Sequence, residues 1–289
     1  MGVEAIQSQE VIKNEEIVVP ETSILRHPCR EVKLDGLNKA VLEKIPTEQR
    51  PLPVFEGDWF LANIGTDVDP LFLELRFAPL SPEQSIALLM TTERSRQNEV
   101  IGGRMVEVLE DAGIRFNCAL GIPELGNPLA QAMSVHKDEH FYWASVGQKG
   151  RTGEPMPKPW LNSECSIVYQ SGTKPYDQVL YVDPVVAKEV ARRKELESGG
   201  IVIGDDARLS GGSIEAAIKA LRRTGEVLDL DLEPSAVISV LNEHEETKQI
   251  LGVPYFSLAK VPIFRNLENG YQPIEGTFEV VNNFYVEFD

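Results

Sequence analysis

The chain is poor in positive charge, in cysteine and in long apolar runs. Its 289 residues carry 28 Lys and Arg against 45 Asp and Glu, a formal net charge of −17. Such an acidic excess repels nucleic acid, whose phosphate backbone calls for basic patches, and it disfavours anionic membrane surfaces. Neither is expected as a partner. The three cysteines (Cys29, Cys118, Cys165) stand far apart with no CxxC pair. That sets aside a disulfide framework or a zinc site and points to a reducing cytoplasm. No stretch approaches the roughly 20 apolar residues that cross a bilayer. Residues 1–16 have neither the basic nor the apolar region of a secretory signal. The four histidines (His27, His136, His140, His244) lack metal-ligand spacing. His136 and His140 stand four apart and are expected to face solvent at a helix end.

What is present is the composition of an ordinary globular protein, 42% apolar and 25% charged, long enough for one large domain or two modest ones. Residues 1–50 read as an extended arm with one short helix, Leu37 to Lys44. Alternating apolar residues at Trp59 to Ala62 and Leu71 to Phe77 predict strands of a small antiparallel subdomain over 51–92. Within it, Ser81-Pro82-Glu83 reads as a helix start, with Ser as N-cap and Pro in the first turn.

From about residue 93 strands alternate with helices. Helices are expected at Val100–Ala112 (closed by Gly113), Leu129–Val135, Pro184–Lys194 and Ser213–Arg223. Strands are expected at Ile114–Leu120, Phe141–Ala144, Val179–Val182, Ile201–Ile203 and Val237–Leu241. That order predicts an α/β core over 93–251, a parallel sheet with helices on both faces. Residues 145–162, rich in Gly, Pro and Lys, read as a long loop, and 252–289 as short aromatic strands in the subdomain or at the sheet edge.

The chemistry concentrates in Ile201-Val-Ile-Gly-Asp-Asp-Ala-Arg-Leu-Ser-Gly-Gly-Ser213. A buried strand delivers Asp205 and Asp206 to its carboxyl end, where open α/β sheets bind ligands. After Ala207, Arg208 and Leu209, the run Ser210-Gly211-Gly212-Ser213 turns into a helix. Two glycines allow close backbone approach, and the free N–H groups of a helix start receive phosphate. Carboxylates suited to sugar hydroxyls or Mg²⁺ therefore stand beside a phosphate cup, as a ribose 5-phosphate requires. Turn chemistry alone accounts for the glycines but not for a doubled acid ending a buried strand.

This segment resembles the signature of the type I phosphoribosyltransferases: an apolar strand, two acids, three variable positions, then Thr/Ser-Gly-Gly-Thr/Ser. The sequence departs from the pattern at Gly204, where a bulky apolar residue is usual, and at Arg208 and Leu209, which are usually aliphatic and small. The resemblance implies a phosphoribosyltransferase-type core with a small antiparallel hood. It implies that Asp205 and Asp206 hold the ribose 2′- and 3′-hydroxyls and Mg²⁺, with Ala207 and Arg208 beside them, and that Leu209, Ser210, Gly211, Gly212 and Ser213 wrap the 5-phosphate. The turn Gly121-Ile-Pro-Glu124-Leu125-Gly126-Asn-Pro-Leu129 looks like the family's pyrophosphate loop. Lys149 and Arg151, in the 145–162 segment, match its basic loop and would pair with the leaving pyrophosphate. The implied reaction is transfer of the 5-phosphoribosyl group from 5-phosphoribosyl 1-pyrophosphate to a nucleobase nitrogen, a purine by analogy with adenine and xanthine phosphoribosyltransferases. A homodimer is expected on the same ground.

Two sheet-edge segments stay open. Asp183-Pro184 either borders the site or starts a turn, and Leu241-Asn242-Glu243 either meets the base or forms a turn. Two rival functions also stand: a phosphoribosyltransferase-fold regulator that binds the diphosphate without turnover, and a transferase acting on a non-nucleobase amine.

Overall fold

The structure is a computed structural model and describes residues 59–65, 71–90, 95–137, 140–151, 165–171, 176–197, 199–243 and 247–274. The predicted arm over 1–50, with its helix at Leu37–Lys44, lies outside these residues.

The parallel sheet contains β4 (Cys118–Gly121), β5 (Tyr142–Ser145), β9 (Ile201–Arg208), β10 (Ala236–Asn242) and β12 (Val253–Lys260), with the short β11 (Gln249–Ile250) antiparallel at one edge; the order is β11-β12-β10-β9-β4-β5. Its connections run through α2 (Gly126–Val135), α3 (Pro184–Glu197) and α4 (Gly212–Leu228), and α1 (Ser95–Asp111) precedes it. These strands are apolar on both faces, as parallel strands between helices must be. Val202 and Ile238 share one buried cluster with Ile101, Met105 and Leu109 of α1 and Leu129 and Met133 of α2. Ile201, Ile203 and Val237 share the other with Ala187 and Val190 of α3 and Ile214, Ala217 and Leu221 of α4. Each such aliphatic side chain contributes about 1.5–3 kcal/mol on burial, whereas exposed ion pairs such as Lys219–Glu215 give at most about 1 kcal/mol. The acidic chain is held by its core.

The expected antiparallel strands form β1 (Trp59–Asn63) and β2 (Phe72–Pro79), joined by β3 (Gln84–Leu88), β13 (Phe264–Leu267) and β14 (Gly270–Pro273) in the order β1-β2-β3-β13-β14. Phe77 packs edge-on against Phe264 at 4.8 Å and stacks on Tyr271 at 3.9 Å. The same apolar cluster runs from Phe60, Leu75 and Ala87 of this sheet into α1 and β10.

Several elements differ from the sequence reading. Ser81-Pro82-Glu83 opens no helix. The Ser81 hydroxyl accepts the Glu83 amide, Leu80 and Ser81 amides donate to the Gln84 carbonyl, and the chain reverses from β2 into β3. The cap residues serve a hairpin because β2 offers a pairing edge that an isolated helix start lacks. Of the two places left open for 252–289, Val253–Lys260 takes the parallel sheet, in register with β10 through Val237–Tyr255 and Asn242–Lys260, while β13 and β14 join the antiparallel one. The segment 145–162 is not loop throughout: β6 (Gln148–Arg151) pairs with β8 (Asp177–Tyr181), which also pairs with β7 (Ser166–Gln170), a strand the alternation did not reveal. Residues 152–162 lie outside the described residues. The strand expected at Ile114–Leu120 begins only at Cys118, because Gly113 and Ile114 amides donate to Glu110 and Leu109 carbonyls and complete the end of α1.

Among the described residues no helix is long and apolar enough to cross a membrane.

Candidate functional site

In the parallel sheet, β4 has β5 on one side and β9 on the other, and the direction of chain progression reverses between β4 and β9. Open α/β sheets bind ligands beyond the carboxyl ends of their strands at such a reversal. Gly121 of β4 lies opposite Gly204, one residue before the acidic pair. The Ile122 amide donates to the Gly204 carbonyl at 2.9 Å, and the turn closes with the Gly126 amide donating to the Ile122 carbonyl at 2.9 Å. The Pro123–Glu124 peptide within it is cis.

Gly126 is where this turn meets β9. A Cβ at that position would stand 2.5 Å from the Gly204 carbonyl oxygen and 3.2 Å from Asp205 Cα, both backbone atoms. At Gly204 itself a Cβ would meet only Met105 Cε at 3.7 Å and Met133 Sδ at 4.0 Å. Gly126→Ala is therefore expected to lower stability by about 1–3 kcal/mol and to weaken ligand binding by pushing the turn off Asp205. Gly204→Ala should change stability by less than about 1 kcal/mol, since flexible Met side chains adapt. Urea unfolding of both variants checks this; equal losses would mean that the turn is not seated as described.

β9 does not end at Ile203 before a turn, as the sequence suggested. It continues through Asp205, Asp206, Ala207 and Arg208 because β10 pairs with it along the whole length, Ser239 opposite Asp205 and Asn242 opposite Arg208. Asp205 is 4% exposed and Asp206 half-buried. The Ser213 hydroxyl donates to Asp205 Oδ2 at 3.3 Å and the Asp206 amide to Asp205 Oδ1 at 3.1 Å. Leu209 and Ser210 form the turn, and Gly211 is the N-cap of α4, with φ 79° and ψ −5°. That left-handed conformation is open to glycine at little cost. The first amides of α4 have no acceptor within the helix, and Ser213 in its first turn reaches Asp205. The start of α4 and the acidic pair therefore share one edge of the sheet.

Two tyrosines line the α4 side. Tyr169 of β7 is buried, donates to Gln178 Oε1 at 2.8 Å, and has its phenol pushed up first by burial and then by the charge of Asp205. Tyr255 of β12 lies 2.6 Å from the Ser239 hydroxyl, and burial pushes its phenol up to about 12. Both rings stay neutral. Arg208 lies over the Tyr255 ring at 5.3 Å and donates from Nη1 to Asn242 Oδ1 at 3.3 Å. The residue that departs from the family pattern is thus a strand residue with its guanidinium against an aromatic face.

Glu243 stands on the other side of β9. It follows β10, its amide donates to the Arg208 carbonyl at 2.9 Å, and it is 2% exposed. Neither carboxyl oxygen has a hydrogen-bond partner among the described residues. Burial first, then the charge of Asp206, push this carboxyl up to about 8, while the Ala87 amide of β3 pulls the other way.

Of the residues singled out from the sequence, Asp205, Asp206, Ala207, Arg208, Leu209, Ser210, Gly211, Gly212 and Ser213 share this edge, and Gly126 abuts it. Gly126 begins α2 instead of lying in the turn, because the helix starts three residues before Leu129; Leu125 is its N-cap and Glu124 is exposed. Lys149 and Arg151 lie on β6 opposite Leu180 and Gln178. Asp183 starts a turn, its Oδ1 accepting the Val185 amide at 2.8 Å at the beginning of α3. His136 and His140 are exposed, and among the described residues no cluster of three or more His, Cys, Asp or Glu suits a metal. The sequence missed Tyr169, Ser239 and Tyr255, whose aromatic or hydroxyl identity inside a strand carries no signal of its own.

No protein-family model matches the chain, and no curated protein matches it. Among solved structures it is similar to an adenine phosphoribosyltransferase from Giardia lamblia complexed with 9-deazaadenine, at 12% identity and a TM-score of 0.41 over 64% of this chain and 93% of that one. It is similar to a phosphoribosyltransferase from Corynebacterium diphtheriae, at 14% identity and a TM-score of 0.35 over 59% and 78%. A hypothetical protein from Neisseria gonorrhoeae with bound ppGpp is similar at 15% identity and a TM-score of 0.38 over 57% and 78%.

Proposed function

We propose that the chain binds 5-phosphoribosyl 1-pyrophosphate at the carboxyl ends of β4 and β9 and transfers its phosphoribosyl group to a nitrogen acceptor, a nucleobase and by analogy a purine. The observation that carries this reading is the seating of Gly126 against Asp205. It sets one helix start against Asp205, whose carboxylate is also bonded to Ser213 at a second helix start, with Asp206 next on the same strand. A diphosphate, a 5-phosphate and a pair of ribose hydroxyls are the groups those three features complement.

In the reaction the acceptor nitrogen's lone pair forms the bond to C1 as the C1–O electron pair leaves on pyrophosphate, and the nitrogen's proton passes to solvent. The transition state gathers negative charge on the leaving group. Asp205 and Asp206 position the sugar, with the Ser213 hydroxyl fixing the Asp205 carboxylate. The amides of 209–213 hold the 5-phosphate. A carboxylate at this edge suits Mg²⁺, which takes oxygen ligands and is commonly held by one or two carboxylates together with substrate phosphates. When bound with the donor it would neutralise diphosphate charge.

Lys149 and Arg151 are assigned to the leaving pyrophosphate by resemblance. Lys149→Ala is expected to lower kcat by about 100-fold, the loss typical of one electrostatic stabiliser, with donor affinity changed far less. An unchanged kcat in pre-steady-state and steady-state assays removes Lys149 from the mechanism.

The test of the whole reading is a panel of nucleobases and amines, each with the donor and Mg²⁺, scored by pyrophosphate release. Release with a base supports it, and release only with another amine moves it to that acceptor class. Donor binding without release for any acceptor favours a sensor, and absence of donor binding refutes it.

A further inference from the structure

Asp205 and Asp206 are neighbours on an extended strand, so their side chains leave β9 toward opposite faces. Asp205 goes with α4, through Ser213. Asp206 goes with Glu243 and the Ala87 amide of β3. C5 and C1 lie at opposite ends of a ribose. A phosphate held at 209–213 and hydroxyls held at the acidic pair would leave C1 on the side of β9 that Asp206 and Glu243 share.

Glu243 has no structural reason to be an acid. It is buried at 2% exposure, the Ala87 amide is the only donor that approaches it among the described residues and makes no well-formed hydrogen bond, and its neighbour Asp206 carries like charge. An unpaired buried carboxyl costs the fold stability where a leucine would add to it. A buried group left unsatisfied calls for a partner that arrives later. Its placement is fixed by the bond from its own amide to the Arg208 carbonyl, which extends the β9–β10 ladder by one residue.

We propose that Glu243 is a specificity-determining residue whose carboxyl accepts a hydrogen bond from an N–H group of the acceptor, restricting acceptors to heteroaromatic bases with an N–H donor on the edge away from the attacking nitrogen. This rests on the phosphoribosyl reading above. Whatever its protonation state, the carboxyl keeps at least one oxygen able to accept. Of the two neighbouring acids Asp206 is the half-buried one, so an acceptor would approach Glu243 from the Asp206 side.

The test is calorimetric. Adenine, N6,N6-dimethyladenine, hypoxanthine and 1-methylhypoxanthine are titrated into the protein holding ribose 5-phosphate and Mg²⁺, and 5-phosphoribosyl 1-pyrophosphate is titrated separately. The wild type should bind at least one parent base about 10-fold or more tightly than its methylated counterpart, the loss expected when a buried acceptor goes unpaired. Glu243→Leu should erase that preference while leaving donor affinity within about 2-fold, and Glu243→Met serves the same purpose if leucine does not fold. Glu243→Gln, whose amide carbonyl still accepts, should keep part of the preference, which a merely structural role would not predict. The inference is overturned if the apolar variants keep the same preference as the wild type, or if the donor binds and no base does. Failure of the wild type to bind the donor instead overturns the phosphoribosyl reading, and this inference with it.

Discussion

Replacing Asp205 and Asp206 together by Asn is expected to abolish turnover, by about 1,000-fold or more, while leaving the protein at least as stable as before. The two halves of this expectation come from different observations. Activity falls because an amide presents N–H donors where the ribose hydroxyls and a divalent cation need anionic oxygen. Stability does not fall because Asn keeps the shape of Asp: its Oδ1 can accept the 206 amide while its Nδ2 donates to Ser213 Oγ, reversing the bond that Asp205 Oδ2 accepts. It also removes a charge that repels Glu243. Acids retained for structure behave in the opposite way, since their loss breaks pairs that hold the fold. Pyrophosphate release and thermal unfolding, measured on the same sample, read both halves. A near wild-type rate with any accepted base refutes the assignment, and a large loss of stability would make the pair structural.

The second large effect is on stability against pH, and it originates at Glu243. Its folded carboxyl is pushed from the usual 4.5 up to about 8. A group whose folded value is raised binds its proton more tightly folded than unfolded. Its stabilisation is therefore complete below pH 4.5 and is lost as pH rises toward 8. The slope approaches about 1.4 kcal/mol per pH unit inside that window, so on the order of a few kcal/mol is lost across it. Glu243→Gln has no proton to lose. Its stability relative to wild type should rise steadily from pH 5 to pH 8 in urea unfolding without divalent cations. Parallel pH profiles for the two proteins would show that Glu243 is not held neutral by burial.

Much of the core was legible in the chain. Helix periodicity at Val100–Ala112 falls on α1 except for its last residue, Ser213–Arg223 lies within α4, and the apolar runs Ile201–Ile203 and Val237–Leu241 lie within β9 and β10. These patterns are read correctly because both periodicity and burial are local in sequence. Ser81-Pro82-Glu83 was misread because the same residues cap helices and tighten hairpins. Only the pairing of β2 with β3 chooses between them. The end of β9 was misplaced for a similar reason: Asp-Asp favours a turn by itself, but the ladder to β10 carries the strand on to Arg208.

The sequence by itself determined that one short segment carries two carboxylates beside a Gly-Gly helix start, because strand, acid, turn and helix follow one another along the chain. That was enough to propose a ligand class. It could not determine what surrounds that segment. The contact of Gly126 with Asp205, the Tyr255 ring beneath Arg208 and the lone carboxyl of Glu243 join residues from distant parts of the sequence. They depend on strand order, on register and on which side chains burial leaves without partners. Those are properties of the packed sheets, and only tertiary structure decides them.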